Sequence, residues 1–459
     1  MSSFRVPAAL TGIRLATLPP DRLILVGVGA SAAASGLGWL VTPDAPWASR
    51  GVQLLMTGCV AVMLLCWWRL GPQFRHPVAV ALAWAAPMLL APPLFSLDAA
   101  AYLAQGRMVI EGLDPYATPL GQASLPGLPV DHYWADTTSV YPPGSLWLFA
   151  AAYWLSLGHA GLGVVWLRLF HLIALWALVA ALKRIAAHLD IPATSTLWLG
   201  AACPLFLIQG IGGIHNDAVL AALIAWAAVA ALRGGWAGLL LGGTTVGVAM
   251  LVKQSGAAAG LGVVALAVAS LKTPTWPGLA LRAAAAGAAA VAVFAGVSLA
   301  SGFGFGWSAA TAGNPLSVAS SSPWSWVAQL LMLFLPAQPV ISVISALATL
   351  AILAAWVWVV RRWGPTPQGP GQPWVVLFGC LLAFVLVGPA NQSWYFLWVV
   401  PFLICCITPL NIRHEHAVVA VAAVTLLGPL QVALDAIPGL VVLFGTVWWL
   451  HRRRQQTTV

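Results

Sequence analysis

Charged residues are scarce in this sequence. Asp, Glu, Lys and Arg make up only 7% of 459 residues, while 61% are hydrophobic and the mean hydropathy is +0.92. A soluble domain carries about a quarter charged residues. This chain therefore cannot cover its surface in water, and its solvent must be largely lipid. Acids are scarcest, with 11 Asp and Glu against 20 Lys and Arg for a formal net charge of +9. The cations form no nucleic-acid patch. They fall mostly between every second pair of apolar segments, the pattern of cytoplasmic loops, and nucleic acid is excluded as a partner. Cysteine is scarce too. Cys59, Cys66, Cys203, Cys380, Cys405 and Cys406 all lie in apolar runs, as small hydrophobes do and disulfide frameworks do not.

What is abundant is apolar helix. A helical span needs roughly 20 apolar residues. Arg5, Arg14 and Arg22 precede the run 23–41, which is longer than the apolar core of about 7–15 residues in a cleaved signal peptide. It reads as an uncleaved first span. Further spans are expected at 52–70, 78–95, 162–182, 195–211, 218–232, 236–252, 255–271, 279–300, 340–360, 374–389, 395–410, 417–432 and 438–450. The dozen apolar residues 146–157 are too few to cross unaided and read as a re-entrant or interfacial helix. The chain is thus expected to be an all-α, polytopic integral membrane protein of about 12–14 spans, with one domain over 1–459. The cation-bearing tails 1–22 and 451–459 are expected in the cytoplasm.

This threading has a consequence for the acids. Only Asp21, Asp190 and Glu415 fall inside, while Asp98, Glu111, Asp114, Asp131, Asp136 and Asp217 gather at the outer face. The long polar segment 96–145 and the loop 301–325 lie on that same side.

Several residues there could carry chemistry. Ser96 can cap a helix running to about Glu111, with Gly112 ending it. Asp98 then sits in the first turn, where the helix dipole favours a carboxylate. At 100° per residue Tyr102 and Gln105 share its face, while Arg107 points away toward Glu111. Asp98 reads equally as a cap or as a base. Asn216 and Asp217 could likewise cap the next span, which leaves His215 unexplained. Lys253 interrupts an apolar hairpin at its outer turn, and an ionisable residue at membrane depth is expensive. It could snorkel to the interface or hold a phosphate, and Arg168, inside its span, poses the same question. Most of the 25 tryptophans are interfacial anchors. Trp307, Trp394 and Tyr395, however, lie beside Gly, Asn391, Gln392 and Ser393 in outer segments, aromatic faces next to hydrogen-bonding groups that would suit a sugar.

Five segments carry a resemblance: SLDAAAYLAQGRMVIEGLDPY, VYPPGSLWLF, GIHNDAVLAALI, FGWSAATAGNP and GPANQSWYFLWVVP, in that order from Ser96 to Pro401. They resemble the polyprenol-phosphate-mannose-dependent α-(1→6)-mannosyltransferases of glycosyltransferase superfamily C, although three alanines separate Asp98 from its first aromatic. The resemblance implies a mannose β-linked to a polyprenyl monophosphate as donor, a mannan or lipoglycan as acceptor, and catalysis at the outer face of the plasma membrane. It implies Asp98 as general base, with inversion at C1. Lys253, then Arg168 and Arg107, would hold the donor phosphate; Tyr102, Gln105, His215, Asn216, Asp217, Trp307, Gln392, Trp394 and Tyr395 would contact the sugars. Neither metal nor other cofactor is expected. Two other readings stand beside it: a transferase for another polyprenyl-phosphate sugar, and a lipid-sugar transporter or flippase. Transporters often show two repeated halves, and none is visible here.

Overall fold

Proline sets the start of many helices in this chain. Pro20, Pro46, Pro77, Pro143, Pro323 and Pro373 each open one, where the missing N–H is no loss and the fixed φ suits the first turn. The computed structural model describes residues 18–41, 46–271, 274–313 and 320–434, together with Gly445. The expected last span 438–450, apart from Gly445, and nearly all of both tails lie outside the described residues.

In order the helices are α1 Pro20–Gly38, α2 Pro46–Leu70, α3 Pro77–Ala85, α4 Asp98–Glu111, α5 His132–Ala135, α6 Pro143–Leu155, α7 Ala160–Leu189, α8 Ala193–Gly200 and α9 Asp217–Ala231. They continue as α10 Gly235–Val252, α11 Gly260–Val268, α12 Trp276–Ala300, α13 Trp307–Gly313, α14 Pro323–Met332, α15 Ala337–Trp363, α16 Pro373–Val387, α17 Leu403–Cys406 and α18 His414–Leu434. Among the described residues the only strand-like pairings are two isolated bridges. The architecture is all-α and polytopic. Six helices, α2, α7, α10, α12, α15 and α18, are each long and apolar enough to cross a membrane. Four shorter apolar segments accompany them, at Pro77–Leu90, Gln254–Val268, Pro373–Val387 and Ser393–Cys406. α12 and α15 bury only 22% of their apolar windows, as helices facing lipid do.

Several expected spans are interrupted. The run 195–211 is divided into α8 and a π-helical turn, Phe206–Gly212, with Pro204 in the break, because proline cannot continue the backbone ladder. That π turn and α9 meet at 117°, and counting them as one bent span brings the candidate crossings among the described residues to seven. The segment 78–95 likewise passes from α3 into a 3-10 turn, Ala86–Leu90, containing Pro87, before Pro92 and Pro93 end it. The expected 255–271 begins as a 3-10 turn, Gln254–Ala259, and the expected 395–410 as the 3-10 turns Ser393–Trp398 and Val400–Phe402.

α6 is the short helix expected at 146–157. It packs between α4, α7 and the end of α10. Two glycines permit this. A Cβ on Gly106 would overlap the Phe149 carbonyl, and one on Gly144 would come within 2.7 Å of the Leu251 carbonyl. Beyond α4 the polar segment folds over as turns and the four-residue α5. Tyr116 ties it to the second loop: its hydroxyl donates to the Tyr141 carbonyl at 2.8 Å, and its ring lies edge-on to Phe303.

Candidate active site

Two interrupted helices end side by side, and a buried arginine joins them. The last carbonyls of a helix have no intrahelical donor. Here Arg168 of α7, fully buried, donates to five carbonyls: Leu89 near the end of the first 3-10 turn, Ala91 and Pro92 just after it, and Ile211 and Gly212 at the end of the π turn. The Leu94 N–H also reaches the Gly212 carbonyl at 2.9 Å. A cation among carbonyl ends is favoured by their dipoles. The guanidinium expected as a phosphate ligand is instead a brace, its donors already engaged by backbone.

From this brace the chain leaves through two left-handed residues, Phe95 (φ 54°) and Ile214 (φ 61°). For a β-branched residue such a φ is a marked outlier, and strain of this kind collects at functional sites. Each turn delivers one side chain to the same point. Asp98 Oδ2 accepts from the Tyr102 hydroxyl at 3.1 Å and from His215 Nδ1 at 3.0 Å. Ser96 Oγ accepts from the Asp98 N–H at 3.2 Å, and the N-cap position itself is Leu97.

Burial alone would raise the Asp98 carboxyl. The His215 hydrogen bond and charge, the Lys253 charge and the Tyr102 hydroxyl outweigh it and hold the group below the usual carboxylate range. Burial, together with the Asp98 charge, pushes the Tyr102 and Tyr141 phenols up, so both are hydroxyl donors at neutral pH. Tyr102 is stacked on Phe149 (4.2 Å) and edge-on to Tyr141, the two hydroxyls 3.3 Å apart.

His215 is fixed on every side but one. Its ring is stacked on Trp394 at 3.9 Å, and its carbonyl lies 3.0 Å from His171 Nε2. Nε2 of His215 is buried without a partner among the described residues. Neighbouring groups are similarly unmet: Asn216 Oδ1, Gln254 Oε1, Ser255 Oγ and Ser393 Oγ. Buried polar atoms are nearly always satisfied in folded proteins, so these side chains have hydrogen-bonding capacity to spare.

Asp217 opens α9 but does not cap it with its side chain. Its carboxylate takes Lys253 Nζ at 3.0 and 2.8 Å and the Trp398 indole N–H at 2.8 Å. The ammonium also lies 4.3 Å from the centre of the Tyr395 ring. Burial would pull Lys253 down, yet Asp217 and the tyrosines Tyr395 and Tyr141 raise it above the ordinary lysine value, so it stays charged. Asn216 Nδ2 donates to Ser145 Oγ, which donates to the Val252 carbonyl. That relay ties the starts of α6 and α9 to the residue before Lys253.

Asp98 also borders a small pocket of about 30 Å³, lined among others by Asp98, Tyr102, Gln105, Trp134, Thr137, Thr138 and Tyr141. Gln105 is buried there, accepting from Ser139 Oγ at 2.5 Å and donating to the Ala101 carbonyl.

The structure thus brings Asp98, Tyr102, Gln105, His215, Asn216, Asp217, Lys253, Trp394 and Tyr395 into one region. Other expected residues lie apart in their contacts. Arg107 is half-exposed, bonded to Glu111 Oε1 at 2.8 Å and to the Ser124 carbonyl. Trp307 packs on Phe294 of α12. Gln392 is buried, and its carbonyl starts the turn that carries Trp394 and Tyr395. Tyr141 and Trp398 were legible within the quoted VYPPGSLWLF and NQSWYFLWVVP segments. Trp134, Thr137 and Thr138 carried no signal beyond belonging to a polar loop.

A sequence model of the family described as "Alpha-(1->6)-mannopyranosyltransferase, N-terminal domain" matches residues 22–270, just over half of the chain. A Mycolicibacterium smegmatis protein named "Probable alpha-(1->6)-mannopyranosyltransferase" is 35% identical over 199 residues, covering 40% of this chain and 35% of the relative. Alpha-(1->6)-mannopyranosyltransferase A of Mycobacterium tuberculosis is 36% identical over 179 residues, 37% of this chain and 34% of the relative. Its Corynebacterium glutamicum namesake is 34% identical over 154 residues, 33% and 31%. The chain spans about a third of the length of the curated relatives it matches. No solved structure matches it.

Proposed function

The chain belongs to the α-(1→6)-mannopyranosyltransferase family, and from that premise we propose that it is an inverting membrane glycosyltransferase. It moves mannose from a polyprenyl-monophosphate carrier to a mannan or lipoglycan acceptor at the outer face of the plasma membrane. Asp98 is its general base.

One observation carries this reading: Asp98 holds Oδ2 in two hydrogen bonds while its carboxylate borders an open pocket. A caps-only aspartate would bond to backbone N–H groups at the start of its helix, whereas the hydrogen bonds found for the Asp98 carboxylate come from the Tyr102 and His215 side chains. A base must instead be oriented, ionised and within hydrogen-bond reach of an incoming hydroxyl. His215 and Tyr102 orient it, and the surrounding positive charge keeps it ionised.

In the transfer the acceptor oxygen attacks C1 of mannose as its proton passes to Asp98. The bond from C1 to the phosphate oxygen breaks, and its electron pair leaves with the polyprenyl phosphate. Attack from the face opposite the leaving group turns a β-linked donor into an α-linked product. Phosphate is a good leaving group and needs only positive charge to receive it. Lys253 supplies that charge, held in place by Asp217 and the Tyr395 ring; Arg168 is left as the brace.

The test is a product assay. Purified protein in lipid, given β-linked polyprenyl-phosphate mannose labelled at C1 and a synthetic α-(1→6)-oligomannoside, is expected to yield a new α-anomeric carbon signal by NMR. A β-linked product would refute the single displacement. Movement of the donor lipid across the bilayer without its consumption would instead identify a flippase.

A further inference from the structure

We propose that Tyr141 is a positioning residue for the transfer, the outer member of a hydrogen-bond chain from Tyr141 through Tyr102 to Asp98. The chain fixes Asp98 Oδ2 and leaves Oδ1 to take the acceptor's proton. The inference rests on the functional reading above and adds to it a residue that acts on the base through another.

The direction of the chain follows from its donors. A phenol has one proton and, with an ordinary pKa of about 10, keeps it at neutral pH. The Tyr102 hydroxyl lies 3.1 Å from Asp98 Oδ2 and 3.3 Å from the Tyr141 hydroxyl. An ionised carboxylate is a stronger acceptor than a phenol. The Tyr102 proton therefore goes to Asp98, and the contact between the two hydroxyls is made with the Tyr141 proton. Donation to Tyr102 polarises its O–H and strengthens its bond to the carboxylate. Both distances are long for hydroxyl donors, as catalytic hydrogen bonds often are before substrate binds. Among the described residues the hydrogen bonds found for the Asp98 carboxylate, from Tyr102 and His215, both end on Oδ2. Oδ1 is the oxygen left for an incoming hydroxyl.

Sequence and packing together hold Tyr141 for this role. It precedes Pro142, and the residue before a proline is biased to extended backbone. Its N–H donates to Ser139 Oγ at 3.2 Å, and that hydroxyl donates to Gln105 of α4. Its carbonyl accepts from Tyr116 at 2.8 Å. The Tyr116 ring is itself set against the second loop, edge-on to Phe303 and so close to Gly306 that a Cβ there would overlap it. The Tyr141 ring is edge-on to both Tyr102 and Phe149, its centroid 5.5 Å from each, while Tyr102 stacks on Phe149. None of these contacts uses the Tyr141 hydroxyl. What the hydroxyl adds is the bond to Tyr102.

The experiment compares Tyr141→Phe, Tyr102→Phe and the double variant as full-length protein in lipid, given labelled polyprenyl-phosphate mannose and an α-(1→6)-mannotriose. Tyr141→Phe keeps the ring packing and removes only the hydroxyl. It is expected to lower kcat about three- to tenfold, the contribution of one neutral hydrogen bond, with both KM values changed by less than about twofold. Members of one chain are coupled, so Tyr141→Phe should cost little more in a protein already lacking the Tyr102 hydroxyl. A direct substrate contact would instead raise one KM and add its loss in full. The second readout needs no turnover: infrared titration of the Asp98 carboxyl, identified by its disappearance in Asp98→Asn. A weakened chain favours the protonated carboxyl, so the titration should move to higher pH in Tyr141→Phe and further in Tyr102→Phe. The other groups that bear on Asp98, His215 and Lys253, with Asp217 and Tyr395 beside Lys253, are unaltered in these variants. An unmoved titration in Tyr141→Phe, or additive losses in the double variant, overturns the positioning role while the functional reading stands. Absence of any transfer by the unmodified protein overturns both.

Discussion

Asp98 and Asp217 are both carboxylates next to a basic side chain, yet they are placed for different work. Asp217 is buried, and its oxygens are occupied by Lys253 and Trp398. Asp98 keeps 14% of its side chain exposed and borders the pocket. Its depressed carboxyl has a definite consequence for pH. A base must be deprotonated, so activity should hold as pH falls and decline only below the usual carboxylate range. His215→Gln removes the bond and charge that oppose burial, and Asp98 then rises. The acid limb of kcat/KM against pH is therefore expected to move to higher pH in that variant, and a limb that stays in place would show that His215 does not tune the base. Lys253→Ala speaks to the other substrate. It should raise donor KM by about tenfold or more, as loss of a charged hydrogen bond costs about 1.5–3 kcal/mol. It also leaves Asp217 buried and unpaired, so Lys253→Arg is the control that keeps the charge, and unaltered donor KM in Lys253→Ala would detach this residue from the phosphate.

At the level of elements, the site depends on helices that stop early. α4 was readable from its sequence, with Ser96 before it and Gly112 after it, and its Asp98–Tyr102 face follows from helical spacing. The Arg107–Glu111 pair followed from the same spacing. Arg168 was not readable. Its partners are five backbone carbonyls from two distant segments, and a carbonyl has no residue identity for a sequence to display. Nor could the sequence show that Lys253 and Asp217, 36 positions apart, form a buried pair, or that Trp134 and Asp98 border one pocket. The brace makes a prediction of its own. Arg168→Met keeps the apolar stem and removes the guanidinium donors from those carbonyls, of which Gly212 keeps the Leu94 N–H, at about 1–3 kcal/mol for each group left unmet. The melting temperature in detergent should fall by many degrees, with Arg168→Lys recovering only part. Equal melting of Arg168→Met and the parent protein would contradict the bracing role.

Across the whole molecule, the scarcity of charge and the clustering of polar groups are two sides of one arrangement. Helices such as α12 and α15 turn most of their apolar surface outward, while the polar side chains of five separated segments converge where α4, α6, the π turn before α9, the end of α10 and the turn Ser393–Trp398 come together. Tyr116 joins the two long loops above that point. A lipid-bathed scaffold thereby gathers the Asp98 carboxylate, its partners His215 and Tyr102, and the Lys253–Asp217 pair in one region. The direct measurement is single-turnover transfer by Asp98→Asn in lipid, with its melting temperature compared with the parent's to establish that it is folded. Asparagine keeps the shape and cannot take the proton, so transfer should slow by about 10²–10⁴-fold, the usual contribution of general-base catalysis. Near-parental transfer by a folded Asp98→Asn protein would contradict the assignment of Asp98 as the base.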